Sequence, residues 1–152
     1  MLFRSFGKFV DSLGGKYITA EDVGVSTREM ELVKMETDFV TGIPESMGGS
    51  GDPSPVTAFG VYMGMRASAK EVYGNDSLAG KKVLVQGVGH VGSHLVKHLV
   101  DEGARVFVTD INEERTAEIA RNHKVEVVSF NSCYDTDIDI YAPCAQIGRA
   151  HV

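Results

Sequence analysis

The chain has 152 residues, 43% of them apolar, and carries 15 Lys and Arg against 21 Asp and Glu for a formal charge of −6, a composition that fits one ordinary folded domain and excludes a disordered segment. No apolar run approaches the roughly 18 residues a membrane span requires, and Met1-Leu2-Phe3-Arg4 lacks the charged-then-apolar order of a secretory signal, so the expected location is cytoplasmic and no membrane partner is expected. The acidic balance, with no Lys/Arg cluster, argues against nucleic acid, whose binding is driven by counterion release at many cationic contacts.

Leu2, Phe3, Phe6, Phe9, Val10 and Leu13 recur at helical spacing and stop at Gly14-Gly15, which predicts a first helix. Tyr17-Ile18-Thr19 is short and β-prone and is expected to be a strand. Ser26 or Thr27 can cap a second helix carrying Met30, Val33 and Lys34. Gly42 to Pro55 is a long loop rich in glycine and proline, the kind of segment that binds or hinges. Ser54 as N-cap, with Pro55 in the first turn, opens a long helix through Phe59, Tyr62, Met63, Met65 and Ala69 to about Tyr73, ending near Gly74-Asn75.

Lys81 to Gln86 is a continuous aliphatic run of the sort buried on both faces of a parallel sheet. A turn from Gly87 to Gly92 leads into a helix bearing Val91, Leu95, Val96 and Leu99 until Gly103, and Ala104 to Thr109 is the next strand. A further helix from Asn112 to about Asn122, a strand at Val125 to Val128 and a short one at Ile138 to Tyr141 continue the alternation. The expected class is α/β, with helices packed on a partial, Rossmann-type parallel sheet. Cys133 and Cys144 make no disulfide framework and no zinc spacing, so both are expected to be free thiols.

Gly87-Val88-Gly89-His90-Val91-Gly92 sits between a predicted strand and a predicted helix, and Asp110 closes the second strand. Each residue type has a task in a dinucleotide fingerprint: Gly87 for the tight turn, Gly89 for backbone approach to a pyrophosphate, Gly92 for close helix packing, and Asp110 as acceptor for ribose hydroxyls. The helix N-terminus supplies a positive pole for the diphosphate. A carboxylate at Asp110 disfavours a 2′-phosphate and so favours NAD, with Arg105 and Arg115 near enough in sequence to soften that preference.

Tyr17-Ile18-Thr19-Ala20-Glu21-Asp22-Val23-Gly24, the run from Thr37 to Gly42, the run from Asp52 to Val61, Val85 to Gly89, Val108 to Asn112 and Asp139 to Ala145 together resemble the Glu/Leu/Phe/Val amino-acid dehydrogenase family, its leucine-acting branch most of all. The resemblance covers essentially residues 1 to 145. It implies an oxidoreductase that carries out reversible, NAD-dependent oxidative deamination of a branched-chain L-amino acid to its 2-oxo acid and ammonia, in a cleft between a substrate domain and a Rossmann domain. Phenylalanine or valine specificity, and a non-catalytic NAD-sensing Rossmann module, are the alternatives. By resemblance Asp22 is the catalytic residue that exchanges protons with the substrate amine, Ala20 and Thr41 line the substrate side, and Thr57 contacts the nicotinamide carboxamide. His90 and Val91 in the turn, Ile111 and Asn112 beside Asp110, and the segment Ala142-Pro143-Cys144 complete the expected cofactor contacts.

The same resemblance divides the chain into 1–53, the end of an α/β substrate domain with a hinge loop, and 54–146, a linking helix with the first half of an NAD-binding domain. The family's two active-site lysines fall outside the segment, and Lys16, before the Tyr-Ile-Thr motif, does not stand in for one. The chain is therefore expected to be an internal fragment, inactive by itself, of a protein that forms homo-oligomers. After Ala145 the likeness stops, and Ile147 to Val152 is expected to be a non-native tail. His90, His94 and His98 share a helix face, but no metal is expected, because ligands from other elements do not converge on them.

Overall fold

The computed structural model describes residues 2–146; the expected non-native tail, Ile147 to Val152, lies outside the described residues. The chain divides between Pro53 and Ser54 into two compact units. Among the described residues no helix is long and apolar enough to cross a membrane.

The first unit is built on helices α1 (Leu2–Ser12) and α2 (Thr27–Lys34). α2 starts at Ser26 because that residue closes a capping box: its hydroxyl accepts from the Arg28 amide at 3.3 Å, and Glu29 Oε2 accepts from the Ser26 amide at 2.9 Å. The Ser26 hydroxyl, and then its amide, hold the Glu29 carboxyl below its ordinary value. α1 passes so close to α2 that a methyl group on Gly7 would lie 2.9 Å from the Val33 carbonyl oxygen. Met30, Val33, Val40 and Ile43 form the core, with Phe3 and Val25 partly covering it. The predicted strand at Tyr17 to Thr19 is reduced to one parallel bridge between Thr19 and Val40. Thr19 N–H donates to the Phe39 carbonyl at 3.0 Å and Thr41 N–H to the Thr19 carbonyl at 2.8 Å. The Asp22–Val25 turn ends the extended stretch before a ladder can grow. The Gly42 to Pro55 loop contains a 3-10 turn, Glu45–Met47, and is closed by the Gly51 amide on the Ile43 carbonyl at 3.0 Å.

The second unit runs α3 (Ser54–Tyr73), β1 (Lys82–Gln86), α4 (His90–Glu102), β2 (Arg105–Thr109), α5 (Glu113–Asn122), β3 (Val125–Val127), a 3-10 turn over Phe130–Asp135, and β4 (Ile140–Pro143). The strands make one sheet in the order β3-β2-β1-β4, parallel at every pairing. β1 lies inside that order because Val83, Leu84 and Val85 are all fully buried and need cover on both faces. On one face Val83, Val85, Val106 and Val108 pack with Leu95, Val96 and Leu99 of α4, Ala58, Met65 and Ala69 of α3, and Ile119 of α5. On the other, Leu84 and Phe107 meet Cys133, with Val128 and Ile138 at the margin.

Three details depart from the sequence reading or add to it. β4 begins two residues later than predicted, because the Asp139 carboxylate caps the sheet end by accepting from the Lys82 amide at 2.8 Å. The apolar run of α3, for which the sequence assigned no inward face, buries Ala58, Met65 and Ala69 while Phe59 and Met63 are exposed. The 3-10 turn after β3 has no period long enough to announce itself. Among the described residues no group of His, Cys, Asp and Glu is placed to hold a metal. His98 instead stacks on the Tyr62 ring at 5.3 Å between centroids, with Phe59 edge-on at 5.8 Å.

Candidate functional site

The turn between β1 and α4 is shaped by its glycines, each in a different way. Gly87 has φ 94°, a left-handed conformation that a side chain would strain, and a Cβ there would also lie 2.7 Å from the Ala145 nitrogen. A Cβ on Gly92 would lie 1.9 Å from the Gly87 carbonyl oxygen, so the first turn of α4 is pressed against the loop it follows. Gly89 differs: it is the N-cap of α4 with φ −72°, and among the described residues beyond its chain neighbours the only atom within 4 Å of a Cβ placed there is Arg115 Nη1 at 3.9 Å. The space above Gly89 is open, and no side chain caps α4. The first amides of α4, at His90, Val91 and Gly92, are thus the free donors that suit an anion.

Asp110, half-buried at the end of β2, ties this turn to the next helix. Its Oδ2 accepts from the Val88 amide at 2.8 Å and its Oδ1 from the Asn112 amide at 2.9 Å. An ionised carboxylate has about four acceptor positions, so capacity remains for a diol. Asn112 is the N-cap of α5, its Oδ1 accepting from the amides of Glu114 at 3.1 Å and Arg115 at 3.2 Å. Beside Asp110 lies a depression of about 550 Å³, walled by Ile111, Glu113, Thr116 and Ala117 on one side and by Val127, Val128, Ser129, Phe130 and Asn131 on the other. Ile111, Val127 and Phe130 are exposed apolar side chains, which suits the faces of a flat base. The second wall escaped the sequence reading because it carries no motif. Its signal was position alone, since ligands of parallel sheets gather beyond strand carboxyl ends.

β4 delivers the remaining expected contacts of this unit. Ala142 is buried in the sheet core, whereas Pro143 is exposed and Cys144 half-buried. The Cys144 amide donates to the Gln86 carbonyl at 2.7 Å, extending the ladder to the turn. Burial pushes the Cys144 thiol above its ordinary value. On the far face of the sheet the Gln86 side-chain oxygen accepts from the hydroxyls of Tyr134, at 3.3 Å, and Tyr141. Partial burial, reinforced by Tyr134, pushes the Tyr141 phenol up to about 12.

In the first unit Asp22 is exposed and opens a turn. Its Oδ1 accepts from the Val23 amide at 2.7 Å, and its carbonyl accepts from the Val25 amide at 2.9 Å. The Thr19–Val40 bridge sets the segment holding Ala20 and Asp22 beside the one holding Thr41, and Ala20 and Thr41 are both exposed. Thr57 stands exposed in the first turn of α3 in the second unit. The glycine seat, the free amides, the diol acceptor and the apolar slot together fit an adenine dinucleotide.

Comparison with known proteins agrees with this geometry. The family profile described as Glutamate/Leucine/Phenylalanine/Valine dehydrogenase matches residues 48–112. A leucine dehydrogenase of Geobacillus stearothermophilus is 53% identical over 144 residues, covering 95% of this chain and 39% of that protein. A valine dehydrogenase of Streptomyces virginiae is 47% identical over 151 residues, 95% of this chain and 41% of that protein. The crystal structure of L-tryptophan dehydrogenase from Nostoc punctiforme superposes with a TM-score of 0.72 at 35% identity, over 95% of this chain and 40% of that one. The chain thus spans about two fifths of the length of the curated relatives it matches. The chain is similar to the Glutamate/Leucine/Phenylalanine/Valine dehydrogenase family, matching its profile over residues 48–112 and leucine dehydrogenases over 95% of its own length.

Proposed function

We propose that the protein carrying this chain is an NAD-dependent L-amino acid dehydrogenase that oxidatively deaminates a branched-chain, leucine-like substrate to its 2-oxo acid and ammonia. The observation that carries the reading is the open seat over Gly89 next to the Asp110 carboxylate, in a chain 53% identical to a leucine dehydrogenase. The amides of His90, Val91 and Gly92 hold the diphosphate at the positive end of α4. Asp110 accepts from the adenosine ribose hydroxyls, and its charge repels a 2′-phosphate, which supports NAD over NADP. Ile111, Asn112 and the slot beyond β3 orient the adenosine half, while Thr57 and the Pro143-Cys144 segment orient the nicotinamide half.

When bound, the nicotinamide accepts the hydrogen and electron pair that leave the substrate Cα. That departure needs a neutral amine, because an ammonium nitrogen has no lone pair to donate as the C–H bond breaks. Asp22 takes the ammonium proton on its carboxylate and so prepares the nitrogen. Ala20 and Thr41 line the substrate side. In the complete protein, initial rates of NAD reduction are expected to favour L-leucine over L-phenylalanine. Asp22→Asn is expected to lower kcat by about a hundredfold or more while NAD affinity stays unchanged. Wild-type turnover in Asp22→Asn, or NAD binding by a protein inert toward every L-amino acid, would overturn the proposal, the second result pointing to a cofactor-sensing module.

A further inference from the structure

Arg115 has a place in the fold that the sequence does not reveal. Its backbone is fixed in the first turn of α5, where its amide donates to the Asn112 cap, yet its side chain reaches back across the loop. Nη1 lies 3.9 Å from where a Cβ on Gly89 would stand, so the guanidinium overhangs the one glycine of the turn that is otherwise open. Arg4, Arg66 and Arg105 are each tied to a carboxylate. Arg115 is exposed and has no ion pair among the described residues, and the nearby Asp110 carboxylate is engaged by two amides instead.

We propose that Arg115 is a phosphate-contacting residue whose guanidinium donates hydrogen bonds to the diphosphate of the dinucleotide seated on Gly89. The inference rests on the dinucleotide reading of the turn and adds to it a side-chain cation, since the amide cradle alone supplies only partial charges. A guanidinium presents a planar fork of donors that matches phosphate oxygens and remains charged at every working pH. Its position favours the diphosphate over a 2′-phosphate, because it stands over the N-cap of α4, whereas the Asp110 acceptor is engaged by the Val88 and Asn112 amides.

The test is calorimetric binding of ADP-ribose, adenosine and NADP to the whole chain and to its Arg115→Gln and Arg115→Lys variants. The expected result is a loss of about tenfold in ADP-ribose affinity for Arg115→Gln, partial recovery in Arg115→Lys, and unchanged adenosine affinity, which also shows the variants to be folded. The loss should shrink as salt is raised from about 0.05 to about 0.5 M, as expected of an exposed cation. Equal ADP-ribose affinity in wild type and Arg115→Gln would overturn the proposal, as would a loss confined to NADP, which would assign the cation to the 2′-phosphate. Failure of the wild-type chain to bind either adenosine or ADP-ribose would instead refute the dinucleotide reading, and this inference with it.

Discussion

Gly89 and Gly92 look alike in the sequence and are opposites in the structure. A methyl group on Gly92 would lie 1.9 Å from a backbone oxygen and 3.3 Å from Cys144 Cβ, so the helix start must move to admit it. Gly92→Ala is expected to cost about 1–3 kcal/mol, the usual penalty for overpacking, measured as a shift of the urea midpoint. A methyl group on Gly89 meets only the tip of Arg115 at 3.9 Å. There, alanine's weaker N-capping and its smaller unfolded-state entropy act in opposite directions, so Gly89→Ala should leave stability within about 0.5 kcal/mol. The same methyl group would fill the seat proposed for the diphosphate, and ADP-ribose affinity should then fall by at least about tenfold. Equal effects of the two substitutions on both measurements would refute the distinction. The close packing at Gly92 was legible in the sequence, because the motif lies between a strand run and a helix run. The slot walls at Val127, Val128 and Phe130 were not, because residues just beyond a strand carry no period and no characteristic type.

At the level of elements, the start of α5 joins structure to the proposed site. Asn112 caps the helix through two backbone amides, one of them that of Arg115. Asn112→Ala is expected to cost about 1 kcal/mol in urea unfolding. It should also weaken ADP-ribose binding, since the base from which Arg115 reaches Gly89 is loosened; an unchanged affinity would separate the cap from the site. The elements the sequence disclosed best were those with a clear chemical start or stop, such as α2, expected to be capped by Ser26 or Thr27 and capped by Ser26, and α4, which follows the glycine turn and stops at Gly103. Where the signal was composition alone the reading slipped. Tyr17 to Thr19 has β-prone side chains but only one bridge, and Ile138 looked like strand although Asp139 is used as a cap at the sheet end. On α3 the apolar run did not say which side chains face inward: Ala58, Met65 and Ala69 are buried, whereas Phe59 and Met63 are exposed.

Over the whole molecule, the two units have unequal cores. The first rests on Met30, Val33, Val40 and Ile43, whereas the second joins three helices to the sheet around Val83, Val85, Leu95 and Leu99. Buried apolar area is the main source of stability, so the first unit should open at lower denaturant than the second. Hydrogen exchange should show weaker protection at Val33 than at Val85, and unfolding should proceed in two steps; coincident loss of protection in both would contradict this. The α/β class was readable from the alternation of periods alone, because a parallel sheet forces a crossover between neighbouring strands.

The room above Gly89 has a consequence for inheritance. Selection acting only on a well-folded chain would let that position drift to alanine or serine, while position 92 stayed fixed whatever the protein did. If the proposed dinucleotide sits there, a glycine retained at 89 across descendants would record its continued use, and a lineage that had abandoned it would betray the change there first.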